Sequence, residues 1–269
     1  MGVRRLSGRF LEELYARHHR LANLDPDPLV FVRRYPDPLD GEVAGLVAAS
    51  LAYGQVPKIM ETLEGVFAVL GGSPRRKLER MTPRDLLGGF EHFEYRFHKA
   101  ADLALFLSLV RQSLERRGTL SALFSAGDSR GGIGPTLSAF VDELLSGDPG
   151  PFLPTRAIPP AHPVRHFLPS PRKGGAAKRL CLYLRWMVRK DEIDPGCWHG
   201  LMAPERLVIP LDTHVARVSR DLGLTRRKTA DWKTALEITE ALRRYDPKDP
   251  VRYDFSLFRF GMESTARRG

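Results

Sequence analysis

The chain is poor in cysteine, with two in 269 residues, Cys181 and Cys197. Two thiols cannot ligate a four-cysteine iron–sulfur cluster, and these two lack the paired spacing of a zinc site. Cys181 falls in an apolar helical run and reads as a small core residue. The eight histidines are scattered and form no metal-binding pair. Neither a metal nor a cofactor is therefore expected. Long apolar runs are also lacking: none approaches the roughly 18–20 residues that span a bilayer. The opening residues turn acidic and amphipathic too early for a secretory signal, so a cytoplasmic protein without a membrane partner is expected. Alternating apolar and polar residues are scarce, and no internal repeat stands out, which removes strands as the main element.

Basic residues are what the chain has in excess. Lys and Arg number 42 against 32 Asp and Glu, a formal charge of +10, within an ordinary globular composition of 42% hydrophobic and 28% charged residues. An excess of that size favours a polyanionic partner, because phosphates neutralised by Lys and Arg release counterions.

The periodic segments read as helices. Residues 42–52 are apolar all round, the pattern of a central buried helix. Ile59, Leu63, Val66, Phe67 and Leu70 form one stripe that ends at Gly71-Gly72. Further helices are predicted over 99–117, 136–145, 176–190, 213–222, 229–244 and 251–262. Eight prolines between 147 and 173 exclude both helix and central strand there. That stretch reads as a long ordered connection. The expected fold is all-α, two helical lobes with a central cleft. One lobe comprises residues 1–40 and 224–269. The other, 41–223, would contain a hairpin region (168–190) and an aspartate-bearing segment (207–223).

The richest stretch for chemistry is 168–223. Gly174-Gly175 supply backbone that can turn tightly and approach a ligand closely. A helix follows at once, and its free amides suit a phosphate. Arg172, Lys173 and Arg179 add cations. Lys178 lies in the first turn, where the helix field and neighbouring cations disfavour a further positive charge. A neutral amine is what a Schiff-base nucleophile requires. Helical spacing places Lys178, Leu182, Arg185 and Arg189 on one face. Asp212 follows the apolar run Leu207–Leu211 and opens the next helix, where a carboxylate is a favoured N-cap. An apolar approach is an odd setting for a carboxylate unless it faces a cleft. Capping and catalysis are compatible roles for it.

The segment PLDTHVARVSRDLGL resembles the one that carries the catalytic aspartate in helix-hairpin-helix DNA glycosylases of the endonuclease III type, and GGAAKRLCLYLRWMV resembles their lysine helix. Thirty-four positions separate Lys178 from Asp212, a spacing nearer to the archaeal 8-oxoguanine glycosylase branch. The resemblance implies that Lys178 is the nucleophile and Asp212 the catalytic carboxylate. The turn LPSPRKGG is longer than the family's, and Lys173 is the other lysine within it. In LVAASLAYGQVPKIMETLEGVF, Gln55 takes the place of the glutamine that fills the gap left by a flipped base. In RYDFSLFRFG, Asp254 and Phe258 take the places of the aspartate and aromatic ring that hold the damaged base. Leu182 and Trp186 would line the same pocket, although a core tryptophan also fits the spacing. The implied activity is a DNA glycosylase with β-elimination, or AP lyase, activity. It would act in base excision repair on double-stranded DNA containing a damaged base, 8-oxoguanine among the candidates. A nucleoid-associated monomer is expected. A glycosylase-like nucleic-acid-binding protein without catalysis, and an enzyme acting on RNA or a nucleoside, are the other readings.

Overall fold

The computed structural model describes residues 6–128 and 131–266. Thirteen α-helices occur among them: α1 (Gly8–His18), α2 (Leu29–Arg33), α3 (Pro38–Leu51), α4 (Val56–Leu70), α5 (Pro74–Arg80), α6 (Pro83–Gly89), α7 (Ala100–Arg117), α8 (Leu120–Ala126), α9 (Ile133–Leu145), α10 (Lys178–Val188), α11 (Thr213–Asp221), α12 (Trp232–Arg243) and α13 (Asp254–Ala266). The strands described are the pairs β1 (Glu94–Tyr95) and β2 (His98–Lys99), joined antiparallel. The all-α expectation therefore holds for the described residues. No described helix is long and apolar enough to cross a membrane. The eight helices predicted from periodicity correspond to α3, α4, α7 and α9 to α13. The short helices α2, α5, α6 and α8 carry too few turns to set up a period.

The chain forms two compact units, residues 1–25 with 171–269, and residues 26–170. This differs from the expected division at 40/41 and 223/224. Residues 171–190 of the expected hairpin region and the Asp212 segment belong with the chain termini, where α11 packs on α13 and α13 packs on α1.

In the unit 26–170, α3 is the central helix predicted from its all-round apolarity, and every residue from Asp40 to Leu51 is buried. Its charges are buried because each caps a neighbouring helix. Glu42 accepts the Leu120 and Ser121 amides at the start of α8, at 2.8 and 3.0 Å. Asp40 accepts the Arg75 amide at the start of α5, at 2.9 Å. Backbone donors at a helix start need such acceptors, and a carboxylate supplies the stronger, charge-assisted kind. The proline-rich connection contains only short 3-10 turns, at Gly150–Phe152, Pro163–His166 and, past the unit boundary, Pro171–Lys173. It is anchored by Val164, Phe167 and Leu168, all buried, with the Phe167 ring stacked on His98 at 4.1 Å.

In the unit 1–25 with 171–269, α1 starts at Ser7, whose hydroxyl accepts the Phe10 amide. Leu11 and Leu14 face inward. Tyr253 donates to Glu12 at 2.6 Å, and Phe10 meets Phe260 edge-on with ring centres 5.8 Å apart. The core of α10 is Leu180, Cys181, Tyr183, Leu184, Trp186 and Met187.

Candidate active site

Pro171–Lys173 form one 3-10 turn, closed by the Gly174 amide donating to the Pro171 carbonyl at 2.8 Å. Gly174 has φ +81°, a conformation open to glycine at little cost. Ala177 caps α10 with φ +48°, also left-handed, an unusual position for a side chain and one that costs roughly 1–2 kcal/mol. No side chain caps the first turn of α10. Lys178 is its first residue.

The run Leu207–Leu211 is core, and its Ile209 amide donates to the Thr239 hydroxyl at 3.0 Å. Burial of that run explains the apolar approach to Asp212. The carboxylate emerges at the N-cap of α11, where Oδ1 accepts the Val215 amide at 2.8 Å. The second oxygen, Oδ2, lies 3.1 Å from Lys178 Nζ. The side chains are 35% exposed at Lys178 and 14% at Asp212, so the pair is sheltered but reachable. The two residues singled out from sequence thus meet at the surface of one unit.

Around the pair the residues sort differently from expectation. Phe258 is half-buried on α13 and meets His214 of α11 edge-on, with ring centres 6.0 Å apart. Close packing of α11 and α13 at this level is permitted by Gly261, where a Cβ would come 3.0 Å from Val218 and 3.4 Å from His214. Leu182 is half-buried. Trp186 has no exposed surface and belongs to the core; it is not a pocket wall. Arg179 is only 7% exposed, so it is not one of the exposed cations as expected, whereas Arg172, Lys173, Gly174 and Gly175 are exposed.

Asp254 departs furthest. It was expected to hold a base, but it is 3% exposed, and its carboxylate binds the Arg185 guanidinium at 2.5 Å. Burial pushes its carboxyl up to about 6. The Arg185 charge and hydrogen bond oppose that rise, the Asp212 charge adds to it and the Lys178 charge reduces it. These couplings place Asp254 within electrostatic reach of the Lys178–Asp212 pair. Arg185 also contacts Asp194 at 3.2 Å. Arg189, one turn on, pairs with Asp194, with Asp191 at 2.7 Å and with Asp249 at 2.8 Å. His19 lies 2.9 Å from the Asp191 carboxylate. Burial raises the Asp191 carboxyl, yet the His19 hydrogen bond and the Arg189 charge bring it below the usual range. Burial leaves Asp249 raised. Arg185 and Arg189 lie on the Lys178 face of α10, as the spacing predicts, but they are buried there by carboxylates of the loop just after α10 (Asp191, Asp194) and of the later residues Asp249 and Asp254.

Gln55 belongs to the other unit. It is exposed at the N-cap of α4, just after Gly54 at φ +108°. A Cβ at Gly54 would lie 3.0 Å from the Tyr95 hydroxyl and 3.3 Å from Arg96 Nη1, so the β1–β2 hairpin packs on this turn. Arg96 has φ +57°, and Phe97 beside it is 52% exposed. Sequence reasoning passed over both; the one available signal was an aromatic residue next to a cation in a stretch without helical period. Among the described residues the non-glycine positions with positive φ are Arg96 and Ala177. Such strain tends to gather at working sites, and each lies close to a residue predicted to function. No group of three or more His, Cys, Asp or Glu among the described residues is arranged to hold a metal ion.

A lysine amine beside a carboxylate, at the start of a helix that follows a glycine turn, can attack an electrophilic carbon while the carboxylate stabilises positive charge on it. A family model described as a protein of unknown function, DUF2400, matches residues 27–263. No curated protein and no solved structure matches the chain.

Proposed function

We propose that this chain, which belongs to the DUF2400 family, is a bifunctional DNA glycosylase and AP lyase of the helix-hairpin-helix kind. The observation that carries the reading is the 3.1 Å approach of Lys178 Nζ to Asp212 Oδ2 at a hairpin–helix junction. The target base is extruded from the duplex, at a few kcal/mol, and its glycosidic bond breaks with the electron pair leaving on the base. Positive charge gathers at the anomeric carbon and its ring oxygen, where the Asp212 carboxylate stabilises it. Lys178 passes its proton to the departing base, and its neutral amine adds to that carbon. Ring opening leaves an iminium, and loss of a C2′ proton expels the 3′ phosphate, which nicks the strand. Exposed Arg172, Lys173, Gly174 and Gly175 would hold the phosphates. Gln55 would fill the vacated position in the duplex, and Phe258 with Leu182 would contact the base. Asp254, bound to Arg185, would act behind them on the charge of the pair. The substrate is double-stranded DNA with a damaged base, 8-oxoguanine among the candidates. The setting is base excision repair by a cytoplasmic, nucleoid-associated monomer.

One observation favours a second reading, a nucleic-acid-binding protein without catalysis. Both oxygens of Asp212 are already engaged, by the Val215 amide and by Lys178, which a purely structural cap would also explain. Borohydride reduction in the presence of duplexes that each carry one lesion separates the two. A covalent protein–DNA adduct on at least one lesion is expected. Binding without an adduct across the whole panel favours the second reading, and release of bases only from RNA or free nucleosides overturns both.

A further inference from the structure

The hairpin is fastened to a second basic segment. The Trp232 amide donates to the Gly174 carbonyl at 3.0 Å, and Gly175 pairs with Asp231 in an isolated antiparallel bridge. This joins residues 171–175 to the loop that leads into α12. That loop is braced by its own side chains. Asp231 accepts from the Thr229 hydroxyl at 2.7 Å, the Thr234 amide at 2.8 Å and Arg227 at 3.1 Å. The first two bonds lead in holding its carboxyl well below the usual range. Thr225 donates to Glu237 at 2.8 Å.

These contacts engage Arg227, Asp231 and Glu237. Arg226, Lys228 and Lys233 are exposed and make no ion pair among the described residues. Across the bridge, Arg172 and Lys173 are exposed too. Lys173, Arg226, Lys228 and Lys233 thus stand on two joined segments, with Arg172 beside them, while Asp231 and Glu237 serve the loop. Within 171–176 and 225–233 none of the exposed large hydrophobic residues occurs, and Leu236, 42% exposed, follows on α12, so the joined segments themselves present mainly charge. Like charges held together repel one another, and a strand of phosphates relieves the repulsion while releasing counterions.

We propose that residues 226–233 form a second phosphate-contacting segment, continuous with the hairpin, that grips the backbone of duplex DNA. The choice of duplex DNA rests on the reading above. Contacts to phosphate position the duplex and carry no sequence information, so the segment adds affinity without choosing the lesion.

The test is a triple variant, Arg226→Gln, Lys228→Gln and Lys233→Gln, in the full chain, with binding to undamaged duplex DNA followed across a salt series. Affinity is expected to fall roughly tenfold or more near 0.15 M salt. The slope of log affinity against log salt should flatten by about 2–3, at near 0.9 for each phosphate that is no longer neutralised. Thermal stability should be unchanged, because the three side chains are exposed and make no ion pair among the described residues. Wild-type affinity and slope in the triple variant overturn the proposal. So does tighter binding, with the larger loss in the variant, to duplex RNA of the same sequence or to vesicles containing phosphatidylserine. Failure of the glycosylase reading shows elsewhere, as the absence of any trapped adduct with wild-type protein, and leaves the undamaged-duplex result standing.

Discussion

Lys178 and Asp212 form an ion pair of 3.1 Å between residues thirty-four positions apart. On the proposed reading its lysine half is needed for covalent chemistry and is only one cation among many for binding. Lys178→Gln should therefore abolish borohydride-trapped adducts while duplex affinity changes by about twofold or less, as expected for one phosphate contact of several. Full trapping by this variant would move the nucleophile to Lys173, which the structure places on the exposed hairpin turn.

Asp212 caps α11, and on the proposed reading it also stabilises the transition state; substitution can separate the two. Asn caps a helix nearly as well as Asp but carries no charge. Asp212→Asn should thus slow base release by about 100-fold or more, the scale of removing one electrostatic partner of the transition state, with its melting temperature little changed. Asp212→Ala should lose both functions, with about 1 kcal/mol of stability gone as well. Excision by Asp212→Asn at the wild-type rate would leave the residue as a cap alone.

Asp254 should leave a mark on the pH dependence of stability. Its carboxyl is raised by burial from 3.8 to about 6. A raised acid favours the folded state most when protonated, so its contribution is complete below about pH 4 and is lost as pH rises through about 6. Asp254→Asn removes that titration. Relative to wild type, the variant should gain stability between pH 4 and 7, by up to about 3 kcal/mol on the scale of 1.4 kcal/mol per pKa unit. Urea melts at pH 4, 5, 6 and 7 would show it; a constant difference between the two proteins across that range would refute the assignment.

Gly196 guards the carboxylates that hold Arg185 and Arg189. It has φ +66°, and a Cβ there would come 2.6 Å from Lys190 Cβ and 2.9 Å from the Arg189 carbonyl. Gly200 has φ +88° with nothing within 4 Å of an added Cβ. Gly200→Ala should cost about 1 kcal/mol from backbone strain alone, and Gly196→Ala about 3 kcal/mol or more, since the backbone of 189–190 must also move. Equal losses in thermal melts would mean that the turn simply opens to admit the methyl group.

Several of these residues were legible in sequence because their signals are local. A cap residue followed by a period marks Asp212, and a glycine turn followed by a period marks Lys178. Trp186, Arg179 and Asp254 were misplaced because helical spacing says which residues share a face and not which face is covered. On α10 the face bearing Lys178 turns inward within two turns. Arg185 and Arg189 can be buried there only because the chain folds back to bring Asp191 and Asp194 onto them and Asp249 and Asp254 arrive from a later segment. The division of the chain was hidden for a similar reason. Phe167 and Leu168 tie the proline-rich connection to the residues before it, while Gly174 and Gly175 tie the hairpin to Asp231 and Trp232 after it. No composition change marks the point between them.

The partners of α1 come late in the chain. Phe10, Glu12 and Arg17 meet Phe260, Tyr253 and Glu263, and the Asn23 carbonyl is held by Arg259. On the ribosome, at roughly 5–20 residues per second, more than ten seconds separate the emergence of α1 from that of the surface that covers it. Residues 26–170 can finish folding in that interval, while Leu11 and Leu14 stay in water. Helix α1 is thus made early and docked late, and nascent chains stalled once residue 170 has left the ribosomal exit tunnel, but before α13 is made, should present α1 to proteases while the segment after it already resists them.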